Sequence, residues 1–248
     1  MSMTRLPLRL AFAIAAPLLL VGCFLTPGKF VSTLSVNADR SFTFTYKGEV
    51  YAKDGDAAAA LGKTASGGDD QDDDDGTQAA FILTAQQKGD EGGESAAEKA
   101  EKKAAAEAKN RAIAAALAKE SGYRSVQYLG DGKFLIDYAI SGTLDHSFIY
   151  PFNTDAEIVF PFIAIELRGK DIVRVKAPAF ANDNDMPGAD GAASKLDGIF
   201  TLDTNAEIVS QNNEDGATTT NGRKTIVWRA TPLTKEAPTA SLRVAPLK

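Results

Sequence analysis

Between residues 41 and 51 the chain reads SFTFTYKGEVY, so that Phe42, Phe44, Tyr46 and Val50 alternate with Thr43, Thr45, Lys47 and Glu49. A period of two fits a strand with one buried face and does not fit an amphipathic helix, whose apolar positions recur every three or four residues. The preceding FVSTLSV (30–36) and the polar NADR make this segment the second arm of a hairpin. Similar punctuation returns after residue 122. RSVQYL (124–129) and KFLIDYAIS (133–141) flank GDG; a stretch near TLDHSFIYPF follows; VFPFIAIEL (159–167) and IVRVKA (172–177) flank GKD. GIFTLDTNAEIVSQ, KTIVWRAT (224–231) and TASLRVA (239–245) complete the series. Short apolar runs between turn signals predict a mainly antiparallel β-sheet.

One segment breaks the pattern. SAAEKAEKKAAAEAKNRAIAAALAKESG (95–122) predicts a helix over 95–121, inserted after the first hairpin, and makes the fold class α+β. Ser95 with Glu98 forms a capping box, the alanines supply propensity, Glu98–Lys102 and Glu107–Arg111 are favourable i,i+4 pairs, and Gly122 supplies a stop. The apolar stripe is thin, with Ile113 and Leu117 near the end. The early turns are therefore expected to project into solvent or meet a partner, and the last turns to pack on the sheet. VFPFIAIEL is apolar on both faces: Ile163, Ile165 and Leu167 on one, Phe160, Phe162 and Ala164 on the other. Such a strand needs cover on both sides. The Ile113/Leu117 end of the helix is the expected cover, with a bound acyl chain or partner as the alternative.

Charge is distributed unevenly. The chain carries a net charge of −6, which argues against a nucleic-acid partner, since phosphate binding needs clustered Lys and Arg. Residues 53–98 alone hold 12 acidic and 3 basic residues. Within them, about 53–94 is rich in Gly, Ala and Asp and reads as a flexible acidic insertion, with FIL (81–83) as an island able to dock on the core.

The first 22 residues have their own logic. Arg5 and Arg9 precede Leu10–Val21, an uncharged run of 12 residues, and a membrane-spanning helix needs about 20. A signal-peptide core fits better, and Pro17 weakens a buried helix. Leu20-Val21-Gly22-Cys23 then resembles the bacterial lipobox, in which a small residue precedes a cysteine that is lipidated on sulfur and becomes the new N-terminus. The resemblance implies residues 1–22 as a removed lipoprotein signal, Cys23 as the lipid attachment site, and a membrane partner reached through acyl chains. One acyl chain holds weakly, because each buried methylene contributes about 0.8 kcal/mol, whereas two or more anchor stably. Cys23 is the single cysteine, so no intramolecular disulfide can form. In Gram-negative members an Asp after the cysteine favours the inner membrane. Phe24 stands there instead, which implies the outer membrane, periplasmic face. Residues 23–29 are expected to be a short tether spanning at most about 25 Å. Residues 30–248 form the single α+β domain.

In the C-terminal third, LDTNAEIVSQN, a polar Gly-containing loop, IVWRA and a last apolar strand are similar to the closing strands of LppM-like bacterial lipoproteins. That resemblance implies an anchored β-rich domain with lipid or glycolipid binding as an associated activity. The acidic and helical insertion departs from it.

Chemistry-bearing patterns are sparse. Asp145-His146-Ser147 holds the residue types of a hydrolase triad, and His146 is the only histidine. On a strand His146 would face away from Asp145 and Ser147, so no relay is expected. The run DDQDDDDG (69–76) fails as an EF-hand: aligning Gly76 with the invariant glycine puts Gln71 at the first ligand position and Ile82 where a bidentate Glu belongs. NDNDMPGADG and QNNEDG fail likewise. No catalytic or metal-ligating residue and no cofactor is expected. Trp228 with Ile226, and Phe42, Phe44 and Tyr46, are expected in the core. Taken together, these features predict a non-enzymatic lipid-anchored envelope protein. It either holds a lipid or other amphiphile on an apolar sheet surface or acts through protein contacts of its helix.

Overall fold

The computed structural model describes residues 24–53, 95–151, 161–182 and 195–247. The signal segment, the lipobox, the acidic insertion with FIL and DDQDDDDG, residues 159–160 and most of NDNDMPGADG lie outside the described residues.

The alternating segments assemble into two sheets. In chain order the strands are β1 (Phe24–Val36), β2 (Ser41–Lys53), β3 (Tyr123–Gly130), β4 (Lys133–Thr143), β5 (Phe148–Tyr150) and β6 (Ile163–Arg168). They continue as β7 (Ile172–Lys176), β8 (Asp197–Thr204), β9 (Glu207–Gln211), β10 (Thr218–Thr220), β11 (Arg223–Ala230) and β12 (Thr239–Arg243). Helix α1 (Ala96–Leu117) precedes β3, and a short 3₁₀ turn, Pro178–Phe180, follows β7. One sheet has seven strands in the order β10-β11-β8-β1-β2-β4-β3, the other five in the order β5-β6-β7-β12-β9. The described pairings are antiparallel except for β1 with β8. The fold class is thus α+β and mainly β, as the alternation predicts.

The inward faces of both sheets form one continuous core. Phe30, Leu34, Phe44, Tyr46, Tyr138, Phe200, Ile226 and Trp228 from the large sheet belong to it, together with Tyr150, Ile163, Ile165, Val173, Val175 and Leu242 from the small one. The stripe Phe42, Phe44, Tyr46 and the pair Ile226, Trp228 are buried as expected.

Three expectations about elements change. First, the tether expected at 23–29 is strand from Phe24 onward: Phe24 pairs with Lys53, Leu25 with Ala52 and Pro27 with Val50. Pro27 and Gly28 suggest a break, but they sit at a β-bulge between Pro27 and Phe30. The described part of β8 pairs from Lys29 onward, so among the described residues 24–28 have no strand neighbour on that side and Pro27 forfeits no described ladder bond there. Gly28 is needed, because a Cβ would stand 2.5 Å from the Tyr51 ring.

Second, α1 ends at Leu117, not 121. Lys119 and Glu120 donate to the carbonyls of Ala116 and Leu117, a tightened last turn that closes the helix before the glycine. Third, α1 packs on β3 at the edge of the large sheet, not on β6. The bulk against β6 comes from the opposing sheet instead. Phe162, outside the strand and fully buried, turns into the core beside Tyr46, with ring centroids 5.5 Å apart.

Candidate functional site

The stretch 20–23 that resembles a lipobox lies outside the described residues, but the backbone that continues from it does not. β1 begins at the residue after Cys23. At that end of the large sheet, Phe24 lies opposite Lys53 and Leu25 opposite Ala52, and the Ala52 N–H donates to the Gly132 carbonyl in the β3–β4 turn at 2.8 Å. The starts of β1 and β4, the ends of β2 and β3, and the Asp131-Gly132 turn therefore share one rim.

A polar cluster sits on the outer face just inside this rim. The Glu49 carboxylate accepts from Lys133 Nζ at 2.6 Å and from the Tyr51 hydroxyl at 3.1 Å. The Lys133 hydrogen bond holds Glu49 below the ordinary glutamate range, and the same bond raises Lys133 above the ordinary lysine value. Lys195 Nζ lies 3.9 Å from the Tyr51 ring centroid, a cation–π contact.

Helix α1 reaches the same rim from the side. Its capping box forms as expected, with the Glu98 N–H donating to Ser95 Oγ at 3.2 Å and the Ser95 N–H donating to the Glu98 carboxylate at 2.9 Å. Glu107 accepts from the Tyr128 hydroxyl and from the Asp131 N–H, both at 2.9 Å. Lys103 bridges to Asp131 at 2.8 Å, which lowers Asp131 and raises Lys103 from their ordinary values. Asn110 and Ala114 are buried, whereas residues 95–105 are exposed throughout. The helix thus docks by its second half, and its first turns are exposed. Its polar latch, Glu107 with Tyr128 and Asp131, carries no local sequence signature, because Glu107 reads equally well as half of the i,i+4 pair with Arg111, which it also forms at 3.5 Å.

Among the described residues, aromatic rings touch in succession between the two sheets. Trp228 stacks on Phe200 at 5.5 Å, Phe200 meets Phe180 at 5.6 Å, and Phe180 stacks on Phe30 at 4.3 Å. Phe30 lies 5.5 Å from Tyr46, Tyr46 lies 5.6 Å from Tyr150, and Tyr150 lies 4.5 Å from Tyr138. Burial drives Tyr46 and Tyr150 well above the ordinary tyrosine range. The apolar surface that sequence suggests as a lipid-holding face is, in this region, covered by its own opposite sheet. On the outward face of the small sheet, Arg174, Lys176, Ser210, Thr239 and Ser241 line a shallow polar depression of about 220 Å³. Ala240 at its floor is the one apolar side chain of that lining, and the rest suits solvent better than an acyl chain.

His146 departs from the expected strand. Asp145 and His146 form a bend between β4 and β5, and His146 Nδ1 hydrogen-bonds the Asp145 carboxylate, a contact the strand argument excludes. The extended alternation that would separate them is absent, because Leu144 turns inward and donates its N–H to the Arg40 carbonyl at 2.9 Å. Both side chains are largely exposed, which fits a surface histidine. Among the described residues no group of three His, Cys, Asp or Glu side chains is arranged to hold a metal, and no helix is long and apolar enough to cross a membrane.

Sequence reasoning passes over Arg40. It sits in the β1–β2 turn at φ 74° and is 4% exposed. Its guanidinium donates to three backbone carbonyls: Leu144 at 2.8 Å, Ala245 at 2.5 Å and Lys170 at 2.5 Å. A polar turn residue in sequence thereby becomes a buried staple at the end opposite the rim.

No protein-family model matches the chain, and no curated protein matches it. Among solved structures, the folded domain of the Mycobacterium tuberculosis LppM protein, determined by NMR, is similar at 12% identity over 90% of this chain and 92% of that one, with a TM-score of 0.32. A similarity of that degree carries no argument about function, which rests on the chain's own residues and geometry.

Proposed function

We propose that this chain is a lipid-anchored envelope protein, attached through acyl chains on Cys23 to the periplasmic face of the outer membrane, that works by contact at the bilayer surface and catalyses no reaction. The observation that carries the reading is the start of β1 at Phe24: the sequence places a lipobox cysteine directly before the residue at which the sheet begins. A folded domain held with no slack meets whatever lies at the headgroups. The ring contacts that join the two sheets favour this over a lipid carried between them.

The test is acylation itself. Whole-protein mass measurement of material from bacterial membranes should show loss of residues 1–22 and the added mass of acyl chains. Cys23→Ala should leave the protein unprocessed and without the acyl mass. An unacylated wild-type chain released as a soluble protein would refute the reading. Native mass spectrometry of residues 24–248 should find the domain free of bound lipid.

A second reading is favoured by the exposed first turns of α1: the helix docks on another envelope protein. Cross-linking in intact envelopes would then recover one dominant partner that disappears when residues 95–105 are deleted.

A further inference from the structure

We infer that the outward face of the small sheet carries a binding site for a phosphate group, free or as a monoester. The site is the depression where the Arg174 guanidinium and the Lys176 ammonium meet the hydroxyls of Ser210, Thr239 and Ser241. The inference goes beyond the lipid-anchor reading and does not depend on it.

Strand alternation brings these groups together. Val173, Val175, Ala240 and Leu242 are buried in the core, so Arg174, Lys176, Thr239 and Ser241, which alternate with them, face outward. Directly opposed residues of antiparallel strands share a face. Arg174 is opposite Ser241, Lys176 is opposite Thr239, and Ser241 is opposite Ser210 on β9. Arg174, Ser241 and Ser210 therefore form one row across three strands, about 10 Å from end to end. A bulge in the pairing with β9 falls beside this row, between Ser241 and Leu242, and bulges re-aim neighbouring side chains.

The charge in the depression is not compensated by the surrounding strands. Glu166, opposite Arg174 on β6, is taken by Arg168 and by Lys176, the latter at 3.0 Å. Arg243, two residues beyond Ser241, is neutralised by Asp171 at 2.7 Å and by Glu207 at 3.1 Å. Arg174 has no carboxylate partner among the described residues, and no described group engages the hydroxyls of Ser210, Thr239 or Ser241. Lys176 keeps donors to spare, since an ammonium has three. The lining thus offers two cations, three hydroxyls and no carboxylate.

Such a set fits a tetrahedral oxyanion better than a carboxylate. A guanidinium grips two phosphate oxygens through parallel N–H bonds, and an ammonium adds a point charge. The hydroxyls then donate to the oxygens that remain. A carboxylate has only two oxygens, which Arg174 alone would satisfy. The volume of about 220 Å³ falls below the roughly 300–1,000 Å³ usual for drug-sized ligands, so the depression takes the ionic group and leaves outside whatever carries it.

The test is a binding titration followed by NMR. The full chain, isotope-labelled and held in detergent at constant ionic strength, is titrated with inorganic phosphate, methyl phosphate or acetate. Phosphate should move the signals of Arg174, Ser210, Thr239 and Ser241 along saturating curves, and acetate should bind several-fold more weakly. Arg174→Gln should weaken phosphate binding about tenfold or more, as expected for loss of hydrogen bonds to a charged group. Ser241→Ala should weaken it several-fold, and Arg243→Gln, which removes a charge already neutralised, should leave it unchanged. Affinity for inorganic phosphate equal to or above that for methyl phosphate would support the site with a free ion as its ligand. Tighter binding of methyl phosphate would support it with a phosphate carried on a larger molecule. Shifts that never saturate, or that weaken equally in Arg174→Gln and Arg243→Gln, would overturn the site as general charge attraction. Acetate binding as tightly as phosphate would overturn the assignment to a tetrahedral oxyanion. None of these readouts requires acyl chains on Cys23, so the site and the lipid-anchor reading fail separately.

Discussion

At the scale of single residues, two side chains hold the ends of the large sheet by different physics. Arg40 is a buried cation with no carboxylate partner among the described residues; three carbonyl dipoles from remote segments solvate it. Removing it leaves those carbonyls without their donor, and an unsatisfied buried group costs about 1–3 kcal/mol. Arg40→Ala is expected to destabilise the fold by about 3 kcal/mol or more, read as a lowered urea midpoint with unchanged slope. At the rim, Glu49 is held below its ordinary value mainly by Lys133. A depressed carboxylate contributes stability that is complete above its unfolded pKa, about 4.3, and is lost as pH falls through the lower folded value. Between neutral pH and pH 5 the stability gap between wild type and Glu49→Gln should hold constant, then narrow under stronger acid. A gap that persists undiminished at acid pH would show that the ion pair is not its source. The aromatic stripe was legible from its period of two alone. Arg40 was not, because its partners lie 104, 130 and 205 residues away and leave no local pattern.

At the scale of elements, α1 shows how far local chemistry reads. Its cap was legible because the capping box is self-contained in Ser95-Ala96-Ala97-Glu98, and the helix itself starts one residue later than expected, at Ala96. Its end was misjudged because Gly122, at φ 88°, belongs to the turn that enters β3, where a Cβ would lie 2.5 Å from the Tyr138 ring. Since the helix docks only by its second half, the cap should matter locally. Ser95→Ala is expected to cost about 1 kcal/mol of helix stability. That loss should appear as faster amide exchange at residues 98–103 with nearly unchanged global unfolding. A large fall in global stability would mean that the first turns are packed, contrary to their exposure. β1 was misjudged for the opposite reason. Pro27-Gly28 is a turn signal in isolation, but the pairing of β1 with β2 carries on across it with a bulge between Pro27 and Phe30.

At the scale of the whole molecule, strand content and fold class were legible, but the partition into two sheets was not. Nothing local says that β8 returns beside β1 in parallel, or that β9 and β12 leave for the other sheet. What joins the sheets is the ring succession, and Phe180 is its keystone, touching Phe30 and Phe200 of the large sheet and lying 6.4 Å from Phe162. Phe180→Ala should cost about 3–5 kcal/mol, seen as a large drop in the unfolding midpoint. A change below 1 kcal/mol would mean that the 3₁₀ turn is peripheral.

Under the proposed acylation of Cys23, the pairing of Leu25 with Ala52 also sets an order of events in biogenesis. Enzymes that acylate a cysteine and cut the peptide bond before it need a freely accessible backbone there, and a zipped hairpin mouth withholds it. Maturation is therefore expected to precede closure. If residues 1–22 are the leader of the proposed lipoprotein, the last few rungs between β1 and β2 form only after it is gone, and a precursor that folds early becomes a poor substrate for its own processing.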